Sequence, residues 1–295
     1  MIRFDKNKTL EDYYHIHESG YDLYAIGDIH GNFNVFKKYV KRYDITKSIF
    51  IICGDCGLGF STVEGDKNEL FRLNDLLKTA DCYVICIRGN HDKPSFFNSL
   101  EPFEMSNIKC VPDYTVISSY LDEEMQTFPI DGFLCVGGAV SIDRLPRIAL
   151  YEEKVNKYLR YNPKGDISKV KELYWKDEIP IFDINKLDKI FGDGNIISCV
   201  ISHTAPSFAY ICEKNGIRTF LKNDDKLEED LKMERDVMDN IFQYLNKRQG
   251  DVLEKWYFGH FHTTNITEYK GVVFNLLGIE VMTQINTIGQ KCRNF

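Results

Sequence analysis

Short apolar runs alternate with amphipathic stretches through the first third of the chain. Residues 22–26 (DLYAI) read as a buried strand, and Phe33, Phe36 and Val40 follow at helical spacing. Residues 48–53 (SIFIIC) predict a second strand. Leu70, Leu73, Leu76 and Leu77 give the next helix its apolar face, and residues 82–87 (CYVICI) predict a third strand. Strand–helix–strand–helix–strand implies parallel pairing through right-handed crossovers. Further strands are expected at 133–136, 196–201 and 255–258, and a hairpin joins 264–269 to 272–276 through Lys270-Gly271. Leu227, Leu231, Met238, Ile241, Phe242 and Leu245 form one helical stripe that Gly250 is placed to end. The acidic start of that helix suits its N-terminus and a solvated face. The stretch 145–193 is the least regular, with mixed charge and Pro163/Gly165 punctuation. The simplest organisation is one domain, 1–295, carrying a lid-like insertion at about 145–193.

Polar residues change the picture because of where they fall. Each of five predicted strands runs into a metal-capable side chain. The sequences are Gly27-Asp28-Ile29-His30-Gly31, Gly54-Asp55, Gly89-Asn90-His91-Asp92, Ser202-His203 and Gly259-His260-Phe261-His262. Ligands in open α/β sheets bind outside the carboxyl ends of the strands, so these motifs should share one rim. Carboxylate, imidazole and amide oxygen suit divalent Mn, Fe, Zn or Mg. Asp28-x-His30 and His260-x-His262 put two side chains on one side if the backbone there is extended. Five of the seven His lie in these motifs.

In that order the five motifs resemble the calcineurin-like metallophosphoesterase superfamily. The resemblance implies a four-layer αββα sandwich, an α/β (in some schemes α+β) fold of two mixed β-sheets flanked by helices. It implies one metal held by Asp28, His30, Asp55 and His262, with Asp55 bridging to a second held by Asn90, His203 and His260. His91 is expected to contact the substrate phosphate or protonate the leaving group, with Asp92 orienting it. Two divalent ions, with Mn favoured over Fe, Zn or Ni, would clamp the attacking and leaving oxygens, and a bridging hydroxide would attack phosphorus in line. Arg88 reads either as a phosphate clamp or as a surface salt bridge. Arg144 and Arg147, after Gly137-Gly138-Ala139 and Ser141, are candidate substrate contacts. The second motif continues as Cys56-Gly57-Leu58-Gly59, without the Asp and Arg expected of phosphoprotein phosphatases.

Composition sets the remaining bounds. A formal charge of -7 gives no overall basic field, so nucleic acid is possible but not indicated. There is no apolar run long enough for a membrane span, and the first residues lack a secretory core. Nine Cys, scattered through strand-like runs, read as free thiols in a cytoplasmic protein. The Cys53/Cys56 pair straddles a strand end rather than opening a helix, against a redox role. His15 and His17 read as surface or packing residues. Tyr151, Tyr158, Tyr161, Tyr174 and Trp175 read as packing of the insertion, with base stacking as the alternative. The expected activity is metal-dependent hydrolysis of a phosphate mono- or diester on an unidentified phosphorylated substrate. Protein phosphatase and nuclease or nucleotide phosphodiesterase are variants of that reading, and a catalytically idle metal-binding scaffold is the alternative class.

Overall fold

The computed structural model describes residues 14–16, 21–59, 63–98, 105–119, 131–209 and 217–285. In chain order the strands are β1 (Tyr14–Ile16), β2 (Asp22–Ile26), β3 (Ser48–Ile52), β4 (Cys82–Cys86), β5 (Ile108–Cys110), β6 (Thr115–Ser119), β7 (Asp131–Val136), β8 (Ile197–Ser202), β9 (Lys255–Phe258), β10 (Asn265–Tyr269), β11 (Val272–Leu276) and β12 (Met282–Ile285). The α-helices are α1 (Asn34–Lys37, continuing as a π turn over Lys38–Arg42), α2 (Val63–Ala80), α3 (Arg144–Tyr161), α4 (Ile184–Gly192), α5 (Ile217–Leu221) and α6 (Leu227–Gln249).

The strands form two mixed sheets. One has five strands in the order β12-β2-β3-β4-β5, and the other has seven in the order β1-β6-β7-β8-β9-β11-β10. Side-chain alternation sorts each strand between two cores. Leu23, Ala25, Ile49, Ile51 and Ile85 of the first sheet meet Phe133, Cys135, Cys199, Ile201 and Tyr257 of the second. The opposite face of the five-stranded sheet, with Tyr24, Phe50 and Val84, packs against Phe36 of α1 and Leu70, Leu73 and Leu77 of α2. The opposite face of the seven-stranded sheet, with Leu134, Val200, Trp256 and Phe274, packs against Leu187 and Ile190 of α4 and Met238, Ile241, Phe242 and Leu245 of α6. Four layers result, helix–sheet–sheet–helix. Both faces of the central strands are therefore covered, which is why they read as continuous apolar runs.

Local chemistry agrees with these elements. Helix α6 opens on Glu228, Glu229 and Asp230 and closes on Lys247 and Arg248, matching the helix dipole, and Gly250 follows at φ 66°. About half of the irregular stretch resolves into α-helix: α3 takes its first third and α4 its end. Half-buried Arg147, Ile148, Tyr151, Val155, Tyr158 and Leu159 form the inner stripe of α3. No helix among the described residues is long and apolar enough to cross a membrane.

Candidate metal centre

Strands β2, β3 and β4 run parallel with Ile26, Ile52 and Cys86 level with one another. Strands β8 and β9 run parallel in the other sheet. The carboxyl ends of both sets meet at one rim, where Asp28, Asp55, Asn90, His203 and His260 follow their strands. The backbone there is tight rather than extended. His30, Asp55, His260 and His262 all take left-handed φ, at 45°, 48°, 68° and 55°. Such non-glycine conformations store strain and cluster at functional sites. They also correct the expectation that His260 and His262 share a direction: His260 turns to His203, with ring centroids 4.9 Å apart, and His262 to His30, at 5.0 Å. Two glycines permit the crowding. A Cβ on Gly54 would sit 2.2 Å from His203 Nδ1, and one on Gly89 would sit 2.0 Å from Asp55 Oδ1.

Asp28, His30, Asp55 and His262 present ligand atoms that all lie within 4.8 Å of one another. His30 Nε2 is 3.0 Å from His262 Nε2, and His262 Nε2 is 3.1 Å from Asp28 Oδ2. That Asp28 oxygen is buried with no hydrogen-bond partner. The other, Oδ1, accepts the His260 backbone N–H at 2.9 Å. An orphaned carboxylate oxygen facing two imidazoles has the donor set and the unmet charge that a divalent cation satisfies. Burial holds His30 below its usual value, against the pull of Asp55 and Asp28, which favours the neutral ring.

Asn90, His203 and His260 lie on the other side of Asp55. His203 Nε2 is 3.0 Å from Asn90 Oδ1 and 3.3 Å from Asp55 Oδ1. His203 Nδ1 donates to the Cys53 carbonyl at 2.7 Å, which leaves Nε2 to face the oxygens. Burial alone would lower His203, but the Asp55 carboxylate and then Asp28 raise it to about 9. Burial pushes Asp55 up, yet His203 and His91 hold it well below its usual value. Asp55 divides between the two groups, with Oδ2 3.8 Å from His30 Nδ1 and Oδ1 toward His203. The residues present fit two cations on either side of one shared carboxylate.

Four polar residues have partners that the sequence did not reveal. Asp92 gathers four backbone N–H groups. Its Oδ1 accepts the N–H groups of Gly57 (2.7 Å) and Leu58 (2.9 Å), and its Oδ2 those of Cys56 (2.9 Å) and Gly89 (2.8 Å), so it folds the turn that carries Asp55. Arg88 is neither a phosphate clamp nor a surface ion pair. It is buried, bonded to Asp113 at 2.7 and 3.0 Å and to the carbonyls of Asp177, Glu178 and Ile179. Arg144 is likewise no free substrate contact, being buried and paired with Asp224 and Asp230. Arg147, one turn along α3, does reach the rim and hydrogen-bonds His91 Nε2. Burial, reinforced by Arg147 and opposed by Asp55, lowers His91 to about 4. The His91 backbone N–H is anchored on Asp55 Oδ1 at 2.8 Å.

Supporting residues outside the motifs are Ser141, Glu178 and Glu234. Asn90 Nδ2 donates to Ser141 Oγ, and Ser141 bonds Glu178 through both its N–H and its hydroxyl. Glu234 of α6 accepts Val140 N–H and the Thr204 hydroxyl, each at 2.5 Å. These partners come from distant segments. The usable sequence signal was the run Ser141-x-Asp143-Arg144, which begins five residues after the end of β7. Cys53 and Cys56 are buried free thiols whose burial raises them, the opposite of a reactive pair. Trp175 is buried, whereas Tyr161 stands 79% exposed. His17 and the His15 side chain lie outside the described residues.

The profile of the family described as calcineurin-like phosphoesterase matches residues 21–264. No curated protein matches the sequence. Among solved structures, the chain is similar to a phosphopantetheinyl hydrolase from Mycobacterium tuberculosis (13% identity, 92% of this chain and 98% of that one, TM-score 0.40). It is also similar to a dimetal phosphatase from Danio rerio (12%, 89% of each chain, TM-score 0.45) and to Plasmodium GAP50 (14%, 88% and 71%, TM-score 0.44). From the motifs, the two-sheet sandwich and the family match over most of its length, the chain belongs to the calcineurin-like phosphoesterase family.

Proposed function

We propose that the protein hydrolyses a phosphate mono- or diester with two divalent ions. Asp28, His30, Asp55 and His262 hold one, and Asp55, Asn90, His203 and His260 hold the other. The observation that carries this reading is the division of Asp55 between two groups of ligand atoms, one containing the orphaned Asp28 oxygen. Mixed carboxylate, imidazole and amide donors suit Mn. Such a metal pair polarises phosphoryl oxygens and acidifies water.

The remaining work falls to the chain itself. Two divalent ions against the carboxylates of Asp28 and Asp55 leave a local positive surplus, so the rim attracts phosphate although the chain carries a formal charge of -7. Arg147 donates to a non-bridging phosphate oxygen. His91, held beside Asp55 through its backbone, protonates the leaving oxygen. A phosphate dianion beside His91 supplies the opposite charge that offsets its burial and its Arg147 neighbour. The insertion at about 145–193 covers the substrate through α3, which brings Arg147 to the rim. Seven buried free thiols among the described residues suit the cytoplasm.

The test is turnover of p-nitrophenyl phosphate and its bis ester by metal-depleted protein before and after Mn is added. Hydrolysis of either that appears with Mn and is lost on chelation is expected. Two bound ions without turnover on these or on a nucleotide panel would sink the enzyme reading and leave a metal-binding scaffold.

A further inference from the structure

Asn90 has a two-faced side chain: only its Oδ1 can bind a cation, and only its Nδ2 can donate behind it. Which end faces His203 is therefore decided by what lies on the other side. There, Nδ2 meets Ser141 Oγ at 2.9 Å. The Ser141 hydroxyl donates to Glu178 Oε2 at 2.7 Å, and the Ser141 N–H donates to Glu178 Oε1 at 2.7 Å. Each carboxylate oxygen thus has its own donor. Where Glu178 is ionised, the Ser141 proton is committed to it, and Ser141 Oγ turns a lone pair toward Asn90 and accepts only the NH2 end of the amide. Ser141 is 1% exposed and Glu178 fully buried, so water does not substitute for either bond.

Both ends of this relay are braced. The Glu178 carbonyl accepts Arg88 Nη1 at 2.7 Å, and Arg88 lies two residues before Asn90. Val140, next to Ser141, is held by Glu234. Burial pushes the Glu178 carboxyl up to about 8, while the two Ser141 donors pull it down. Nothing in the proposed chemistry uses this buried acid, and its geometry accounts for it.

We propose that Ser141 and Glu178 are positioning residues that fix the Asn90 amide with Oδ1 toward the cation it shares with His203. The inference rests on the two-metal reading and deepens it: one of the two ions depends on a hydrogen-bond relay from Glu178, and the other does not.

Mn(II) titrated into metal-depleted wild type, Ser141→Ala and Glu178→Gln tests it. Calorimetry reports the affinity of each ion, and electron paramagnetic resonance separates a coupled Mn pair from an isolated ion. Wild type is expected to bind two ions as a coupled pair. Ser141→Ala should keep the first ion at wild-type affinity and bind the second ~10–100-fold more weakly, as losses behind a metal ligand commonly do. Glu178→Gln offers one carbonyl oxygen to two Ser141 donors and should fall in the same range. Thermal melting checks each fold, and Ser141→Ala decides alone if Glu178→Gln fails to fold. Wild-type affinity for both ions in Ser141→Ala, or equal weakening of both, overturns the relay. Wild type taking up fewer than two ions overturns the two-metal reading, and the relay with it.

Discussion

Asp92 shows how far a motif residue's role depends on partners outside the motif. Four backbone N–H groups from turn 54–59 and Gly89 converge on its carboxylate. Asp92→Ala would leave all four buried and unmatched. It should lower the unfolding free energy by about 3–5 kcal/mol, measured by chemical denaturation, since each buried donor left unmatched costs ~1–3 kcal/mol and the losses do not simply add. His91→Ala should behave in the opposite way. Its fold and both Mn ions are expected to persist while kcat falls ~10²–10⁴-fold, the range for a lost general acid. A His91→Ala protein without metal would remove the division between ligand and acid. The motif side chains were legible because each follows an apolar strand, and the strand supplies its position. The partners of Asp92, Arg88 and Arg144 were not, because the bonds that define them come from residues 56–58, from Asp113 with the carbonyls of 177–179, and from Asp224 and Asp230. Nothing local in the sequence announces those contacts.

Among elements, the buried strands and α6 were readable and α3 was not. Strands covered on both faces carry unbroken apolar runs, and α6 carries a full apolar stripe over a long span. Helix α3 has only a half-buried stripe and charged residues throughout the rest, so its 3.6-residue period is diluted. It starts at Arg144, which Asp224 and Asp230 grip from the loop before α6 and its first turn. The pair lowers Asp224 below its usual 3.8, through the Arg144 hydrogen bond first. A depressed carboxylate gives stability that is present above its unfolded value and lost as pH falls through the folded one. Wild type should therefore lose this contribution below about pH 4. Arg144→Ala should show a shallower fall in melting temperature over the same acid range. Arg147→Ala removes the arm without the anchor. It should lower kcat/KM ~10–100-fold, mostly through KM, as expected for one charged contact to phosphate. An Arg147→Ala protein with unchanged KM would place substrate elsewhere on the rim.

At the scale of the molecule, the two sheets are joined by apolar packing along their faces and by the proposed metal ligands along one edge. Asp28, Asp55 and Asn90 follow strands of the five-stranded sheet, and His203 and His260 follow strands of the seven-stranded one. The partition of strands between sheets was not legible in the sequence. Strand β12 comes back to pair antiparallel with β2, and β11 pairs parallel with β9 on the far side from its hairpin partner β10; short apolar patterns specify neither pairing. What the sequence did carry was a carboxyl rim within each sheet, since strands that run parallel put their carboxyl ends together. A cation bound there ties one sheet to the other in the folded chain alone, because the unfolded chain does not assemble the ligands. Mn should therefore raise the melting temperature by linkage, with each ion adding ~2.7 kcal/mol at a hundredfold excess over its dissociation constant. Asp55 turns one carboxylate oxygen toward each group of ligands, so Asp55→Ala should bind neither ion tightly and its melting temperature should not respond to Mn. His262→Ala touches one group only, so it should keep one ion and roughly half of the stabilisation. Measuring melting curves of the three proteins against Mn concentration separates the cases. A normal Mn response in Asp55→Ala would show that the two sites do not share that carboxylate.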